Sequence, residues 1–407
     1  MRFAHLADVH IGAWRDPAMK DLPILAFEQA VAFILGRSVD FVLIAGDLFN
    51  TAVPPLDQVK RTVTQLQKLK EKNIPVYAIA GSHDYSPSGK TMLDVLEEAG
   101  LLVNVLKGDV EASADGKTIL KLRFTQDQKT KVKITGILGR AGSLDKHYYE
   151  DLDRENLEKE PGHKIFLFHA PITELKPKEL AHMESQPISM LPRGFDYYAG
   201  GHVHIVNDAS LPGYAKIVYP GPLFPASFSE LEELGVGGFV IVSDDVVERI
   251  RVPLKERVVF TIDADKKSVE HVNAELRELE NNDVKGKILL IRVEGELSEG
   301  RISDLRFKEL LTTFHEHGAY FVMKNTTKLT SKEFEEFQTA HASAEELEER
   351  VIREHAGQTP VNGLSLEEEV TLTKELFAIL GEEQREGEKK YEYEERVAKA
   401  AKARLER

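Results

Sequence analysis

Cysteine is absent from the 407 residues. Its absence excludes disulfides and every zinc or iron–sulfur site that needs a thiolate, and it makes an intracellular location the default expectation. No apolar run approaches the roughly 20 residues that a membrane-spanning helix needs. The opening MRFAHLADVH carries an acid and two histidines where a signal peptide would carry an apolar stretch, so no signal peptide and no membrane contact are expected. Positive charge is also scarce. Lys and Arg number 53 against 68 Asp and Glu, a net of −15, which argues against a protein that coats nucleic acid indiscriminately. The deficit is uneven: residues 331–407 hold 20 Glu, no Asp and 12 Lys or Arg, so the acid excess concentrates in the tail.

What remains reads as a globular chain of two or three domains, with 42% hydrophobic and 30% charged residues. Short runs rich in Val, Ile, Phe and Tyr recur at 2–7, 41–45, 75–80, 132–138, 164–168, 195–199, 216–220 and 238–242, each of strand length. Helical patterns lie between the early ones, at 24–35, 56–72 and 90–100. The alternation predicts an α/β layered fold, and the shorter later connections suggest a second, more antiparallel sheet packed on the first. From about 256 the order becomes β-α-β-α-β, with helices over roughly 267–281 and 301–317. Beyond 326 strands stop. Capping boxes at Ser343 with Glu346 and at Ser365 with Glu368 open two helical stretches, the second with an apolar stripe of Leu366, Val370, Phe377 and Leu380. Boundaries at 1–252, 253–328 and 329–407 follow.

Five of the N-terminal strands are each followed by side chains that bind metals or move protons. Asp8 and His10 follow the first, Gly46-Asp47 the second, and Gly81-Ser82-His83-Asp84 the third. His169 follows KIFLF, and GGHVH (200–204), with His202 and His204, follows FDYYA. In an extended segment residues i and i+2 share a face, so both imidazoles can converge, and the glycines permit unusual backbone angles and close approach. Carboxyl ends of strands in open α/β sheets are where ligands bind. One histidine at a strand end is usually an ordinary hydrogen-bonded residue. Five of the chain's 14, with two aspartates, point to one site.

The order DxH, GD, GSHD, H, GHVH over residues 1–245 resembles the calcineurin-like metallophosphoesterase superfamily, which binds two metals. The segment GSHDYSPSGKTMLDVLEEAGL, the small domain and the helical tail look like the SbcD (meiotic recombination eleven) branch of double-strand-break repair nucleases, in an archaeal-type variant. The resemblance implies a two-sheet sandwich flanked by helices, with a small α/β DNA-binding capping domain and a helical tail. It implies one metal on Asp8, His10, Asp47 and His204, and a second sharing Asp47 and adding Ser82, His169 and His202. Two manganese ions per subunit are expected, with magnesium, iron or zinc as alternatives; mixed imidazole and carboxylate ligation suits such metals and is poor for calcium. His83 is the candidate for stabilising phosphoryl charge or protonating the leaving oxygen, with Asp84 orienting it. By the same resemblance the protein is a hydrolase: a 3′-to-5′ exonuclease on double-stranded ends and an endonuclease on single strands. It would work as a homodimer in the prokaryotic cytoplasm, at the nucleoid. Its tail stripe would dock an SbcC-type (Rad-fifty) coiled-coil ABC ATPase.

Two positions depart from the family pattern. Ser82 stands where Asn is usual, offering a hydroxyl in place of an amide carbonyl, and Asn50 in GDLFN stands where nucleases of this branch often carry His. Tyr85, Ser86 and Ser88 could touch a substrate backbone, but an ordinary polar turn is the favoured reading. A phosphatase or phosphodiesterase of small substrates is the rival within the fold. GDLFN and GSHD lack the Asp-Arg-Gly and the Glu typical of the phosphoprotein phosphatases. A non-catalytic scaffold bridging DNA ends is the rival from another class, supported only by Ser82.

Overall fold

A computed structural model describes residues 1–85, 90–112, 117–140, 146–180, 183–244, 246–331, 351–353, 364–382, 384–385 and 390–405. The chain divides into two compact units, Met1–Leu254 and Lys255–Arg407.

Two six-stranded sheets make up the first unit. One runs in the order Val246–Arg251, Gly238–Ser243, Arg2–Leu6, Phe41–Ala45, Val76–Ile79, Val103–Asn104. Its last four strands are parallel, and the first two form an antiparallel hairpin laid against Arg2–Leu6. The other runs Val206–Leu211, Tyr214–Pro220, Tyr197–Gly201, Lys164–His169, Lys133–Ile137, Thr125–Gln126, with four parallel strands between two antiparallel edges. The second sheet is therefore as parallel as the first, contrary to the expectation from short connections. Helices Lys146–Glu150 and Arg154–Lys159 supply one crossover, and the edge strand Val206–Leu211 carries the chain out and back before Tyr214–Pro220. The run at 238–242, which also lies late in the chain, joins the first sheet.

Alternate residues of each strand fill the space between the sheets, as a two-residue period requires. Phe3, Phe41, Leu43, Tyr77 and Ile79 meet Ile165, Leu167, Tyr197 and Val218 there. Phe3 stacks on Phe41 and takes Tyr197 edge-on, both at 5.0 Å between ring centroids, which ties one sheet to the other. The opposite face of the second sheet offers Phe166, Phe168, Tyr198 and Tyr219 to Tyr149 and Leu157 of the short helices. Helices Leu22–Leu35 and Leu56–Glu71 pack together, joined by the two-pronged Arg61–Glu28 pair at 2.8 and 3.0 Å. The parallel strands of both sheets bring their carboxyl ends to one rim, and that rim carries the site.

In the second unit, Arg257–Asp263, Ile288–Leu297 and Phe321–Asn325 form a parallel sheet with Ile288–Leu297 central; Leu329–Ser331 also pairs with that strand. Helices Val269–Glu278 and Phe307–Glu316 cover it through Val272, Leu276, Leu310 and Phe314. Helix Leu366–Leu380 begins at the Ser365–Glu368 capping box and packs on Lys390–Leu405. The Ser343–Glu346 box lies outside the described residues, as do Ser86 and Ser88. Of the apolar stripe, Val370 is buried, whereas Leu366, Phe377 and Leu380 are about half exposed. Among the described residues no helix is long and apolar enough to cross a membrane.

Candidate metal centre

The strand ends turn sharply into the site. Nine non-glycine residues have positive φ among the described residues, and five of them are Asp8, His10, Asp47, His202 and His204, at 47° to 93°. Such angles are costly for L-residues and persist where the surrounding structure over-determines them, typically at functional sites. In the GGHVH segment the left-handed angles fall on the histidines, not on the glycines, so His202 and His204 do not converge as neighbours on an extended strand. The segment's glycines lie at the end of Tyr197–Gly201 and serve close approach instead. A Cβ on Gly201 would sit 2.3 Å from the Ala45 carbonyl oxygen and 2.8 Å from His169 Nδ1.

The rim gathers these side chains. His10 Nε2 lies 2.9 Å from His204 Nε2 and 3.6 Å from Asp47 Oδ2. His169 Nε2 lies 3.1 Å from the same Asp47 oxygen, while its Nδ1 is 2.8 Å from the Ala45 carbonyl, which fixes the ring. His204 Nε2 is 3.7 Å from Asp8 Oδ1. Asp8 in turn accepts the His202 backbone N–H at 2.9 Å, and the His202 ring sits 5.0 Å from that of His169. Asp47 accepts the His83 N–H at 2.7 Å and the Ser82 hydroxyl at 3.4 Å. Asp8, His10, Asp47 and His169 are almost completely buried.

Three overlapping groups of donor atoms each lie within 4.8 Å of one another: Asp8, His10, His204; His10, Asp47, His83; and Asp8, Asp47, His169. Asp8, Asp47 and His10 each belong to two groups, the pattern that two adjacent cations would share. Among the described residues His10 Nδ1 is buried without a hydrogen-bond partner. Imidazoles and carboxylates packed this closely fit a pair of transition-metal ions.

Charge in the site is divided among the rings. Burial lowers His10 and His202 to about 3. Burial also works against protonated His169 and His204, but Asp47 facing His169, and Asp8 and Glu230 facing His204, outweigh it and hold them at about 10 and about 9. Burial pushes the Asp8 carboxyl up. It would do the same to Asp47, but the His169 and His10 rings hold Asp47 below the carboxylate range.

His83 is exposed at the mouth, its ring edge-on to His10 at 4.8 Å. Its Nδ1 lies 3.0 Å from the Asn50 backbone carbonyl. That contact takes the orienting role expected of Asp84, which does something else. The buried Asp84 carboxylate accepts three backbone N–H groups, from Gly81 at 3.0 Å, Phe49 at 2.9 Å and Leu48 at 3.2 Å. It thereby clamps the loop after Val76–Ile79 to the loop after Phe41–Ala45. Burial and neighbouring Asp47 raise it to about 7.

The sequence reading missed Glu230. Its carboxylate lies 3.1 Å from His204 Nδ1, on the side of the ring away from the site. Its position was signalled by the Ser227-x-x-Glu230 pattern at the start of helix Phe228–Glu233, where the Ser227 side chain caps the helix by accepting the Glu230 N–H at 3.2 Å.

Residues 1–206 match the Calcineurin-like phosphoesterase family, and the chain belongs to it. It is thus a metal-dependent phosphoester hydrolase. Similar proteins include the DNA double-strand break repair protein Mre11 of Archaeoglobus fulgidus, 24% identical over 78% of this chain and 76% of its own length. Proteins of the same name from Sulfolobus acidocaldarius, at 28% over 80% of this chain and 82% of theirs, and Methanocaldococcus jannaschii, at 29% over 70% and 75%, are also similar.

Proposed function

We propose that this protein is a manganese-dependent DNA nuclease of double-strand-break repair. The observation that carries the reading is the strand-end cluster of Asp8, His10, Asp47, His169 and His204, with the His202 ring beside His169, in a chain whose similar proteins carry that repair name over most of their length. Asp8, His10, Asp47 and His204 would hold one manganese ion, and Asp47, Ser82, His169 and His202 the other. Held there, such ions would supply Lewis-acid stabilisation of phosphoryl charge and an activated water.

The chain's own part is positioning and proton handling. The Ala45 carbonyl and the Glu230 carboxylate behind His169 and His204 turn each Nε2 toward the site. The His202 N–H on Asp8 and the His83 N–H on Asp47 leave the remaining carboxylate lone pairs facing inward. With Nδ1 against the Asn50 carbonyl, His83 has its Nε2 left to hold a proton beside the leaving oxygen. Asp84 keeps the two loops that carry Asp47 and His83 in register.

Exonuclease action from 3′ to 5′ on duplex ends and endonuclease action on single strands are the activities proposed, in the cytoplasm. The 253–328 segment would cap the DNA. The half-exposed Leu366, Phe377 and Leu380 support a helix-in-groove contact with the coiled coil of an SbcC-type (Rad-fifty) ATPase, and a homodimer would present two such sites. The test is cleavage of labelled single- and double-stranded DNA with manganese and with chelator. Manganese-dependent, chelator-sensitive cleavage of both is expected. Cleavage of p-nitrophenyl phosphate monoesters alone would favour a small-substrate phosphatase.

A further inference from the structure

We propose that Arg140 grips a phosphate of the bound DNA strand, next to the one being cleaved; this rests on the nuclease reading above. Strand Lys133–Ile137 runs parallel to Lys164–His169, with Ile137 opposite Phe168, so the residues after it emerge beside His169. Gly139 packs directly on that ligand ring. A Cβ there would lie 2.4 Å from His169 Cδ2 and 2.7 Å from its carbonyl oxygen, and the Gly139 N–H donates to the Ala80 carbonyl at 3.0 Å. The close approach delivers the next residue, Arg140, to the rim between His169 and the 81–85 loop.

There the guanidinium has aromatic neighbours. It lies 4.4 Å over the Tyr85 ring, and Nη1 donates to the Tyr148 hydroxyl at 3.4 Å. Its Nε is buried without a partner among the described residues. Among the described residues no carboxylate comes within ion-pair distance of Arg140, in a chain with 68 acidic residues where Arg61, Arg353 and Arg404 each find one. A partly buried cation without a counter-charge is costly unless a ligand completes it. The planar fork, seated over Tyr85, suits two oxygens of one phosphate. Its seat over Tyr85, beyond Asp84, sets it beside the donor cluster and not within it, which assigns it a flanking phosphate.

The experiment measures binding of a short fluorescein-labelled single strand to the full chain by anisotropy, across a salt series, with calcium replacing manganese to suppress cleavage. Arg140→Gln should weaken binding about tenfold. It should also flatten the plot of log affinity against log salt by about 0.7, the contribution of one phosphate contact on a single strand. Arg140→Lys should keep the slope and recover most of the affinity. Should the glutamine variant not fold, Arg140→Met, which preserves the stem, is read in the same way. Unchanged affinity and slope in the uncharged variant would overturn the proposal. So would weaker binding with an unchanged slope that lysine does not rescue, since that marks Arg140 as packing for Tyr85. Cleavage by the wild type with manganese is scored separately, and a protein that binds through Arg140 but never cuts would contradict the nuclease reading and leave this one standing.

Discussion

Glu230 stands directly behind His204, its Oε1 3.1 Å from the ring's Nδ1. The Ala226 N–H at 2.9 Å and the Ser227 hydroxyl at 3.1 Å steady the carboxylate. The ring is fixed from outside the site, so Nε2 faces His10 and Asp8 whether or not a cation is present. A carboxylate in this position also makes the imidazole a stronger ligand.

Glu230→Gln keeps a side-chain oxygen that can accept from the Ala226 N–H and the Ser227 hydroxyl but removes the charge behind the ring. Manganese affinity should fall roughly 10- to 100-fold while the fold persists. Metal titration followed by calorimetry measures it, and excess manganese should restore much of the activity. Wild-type affinity in the variant would show that Glu230 acts only as a helix cap.

The raised pKa values of His169, about 10, and His204, about 9, have a definite sign. Both lie above the roughly 6.5 of an unfolded histidine. The stability they add to the metal-free protein is therefore full below about pH 6.5 and is lost as pH climbs through about 9 and 10. Metal ligation needs the neutral rings, so manganese binding near pH 7 should release close to two protons. Titration calorimetry in buffers of different ionisation enthalpy counts them. Release of none would mean that these rings do not ligate.

His83→Gln should retain bound manganese and lose about 10²- to 10⁴-fold in cleavage rate, because the ring works on the phosphate's leaving oxygen. Metal content and cleavage are measured on the same preparation. A variant that has lost one metal would move His83 into the ligand set, alongside His10 and Asp47 that already lie near it.

Much of the site was legible because its residues follow strand-like apolar runs, and a parallel α/β rim collects whatever follows such runs. Asp8, His10, Asp47, His169 and the 202–204 pair needed only that pattern. The partners of Asp84 were not legible: the N–H groups of Leu48 and Phe49 come near it only once Phe41–Ala45 and Val76–Ile79 pair in register. Glu230 was readable as a cap, but nothing local connects residue 230 to residue 204. Connection length misled on the second sheet, since an edge strand can carry the chain back as a helix does. The Ser365–Glu368 cap is a local rule and read correctly. Val370 turning inward while Phe377 stays half-exposed depends on the packing of two helices.

Phe377→Glu places a charge on the half-exposed apolar face of helix Leu366–Leu380 without disturbing the buried Val370. It should abolish capture of the full chain by the coiled-coil base of its cognate ATPase, and manganese-dependent cleavage of short single strands should continue. If capture persists, the docking face lies elsewhere; if cleavage is lost, the tail belongs to the nuclease itself.

The most direct measurement of the central claim is manganese-dependent DNA cleavage by the wild type beside Asp8→Ala and His204→Ala, each checked for its thermal transition. Both variants should fold, bind less manganese and cut at background level, because each removes a donor from the shared cluster. Cleavage at the wild-type rate by either variant, with the fold intact, would contradict the assignment of this rim as the catalytic metal centre.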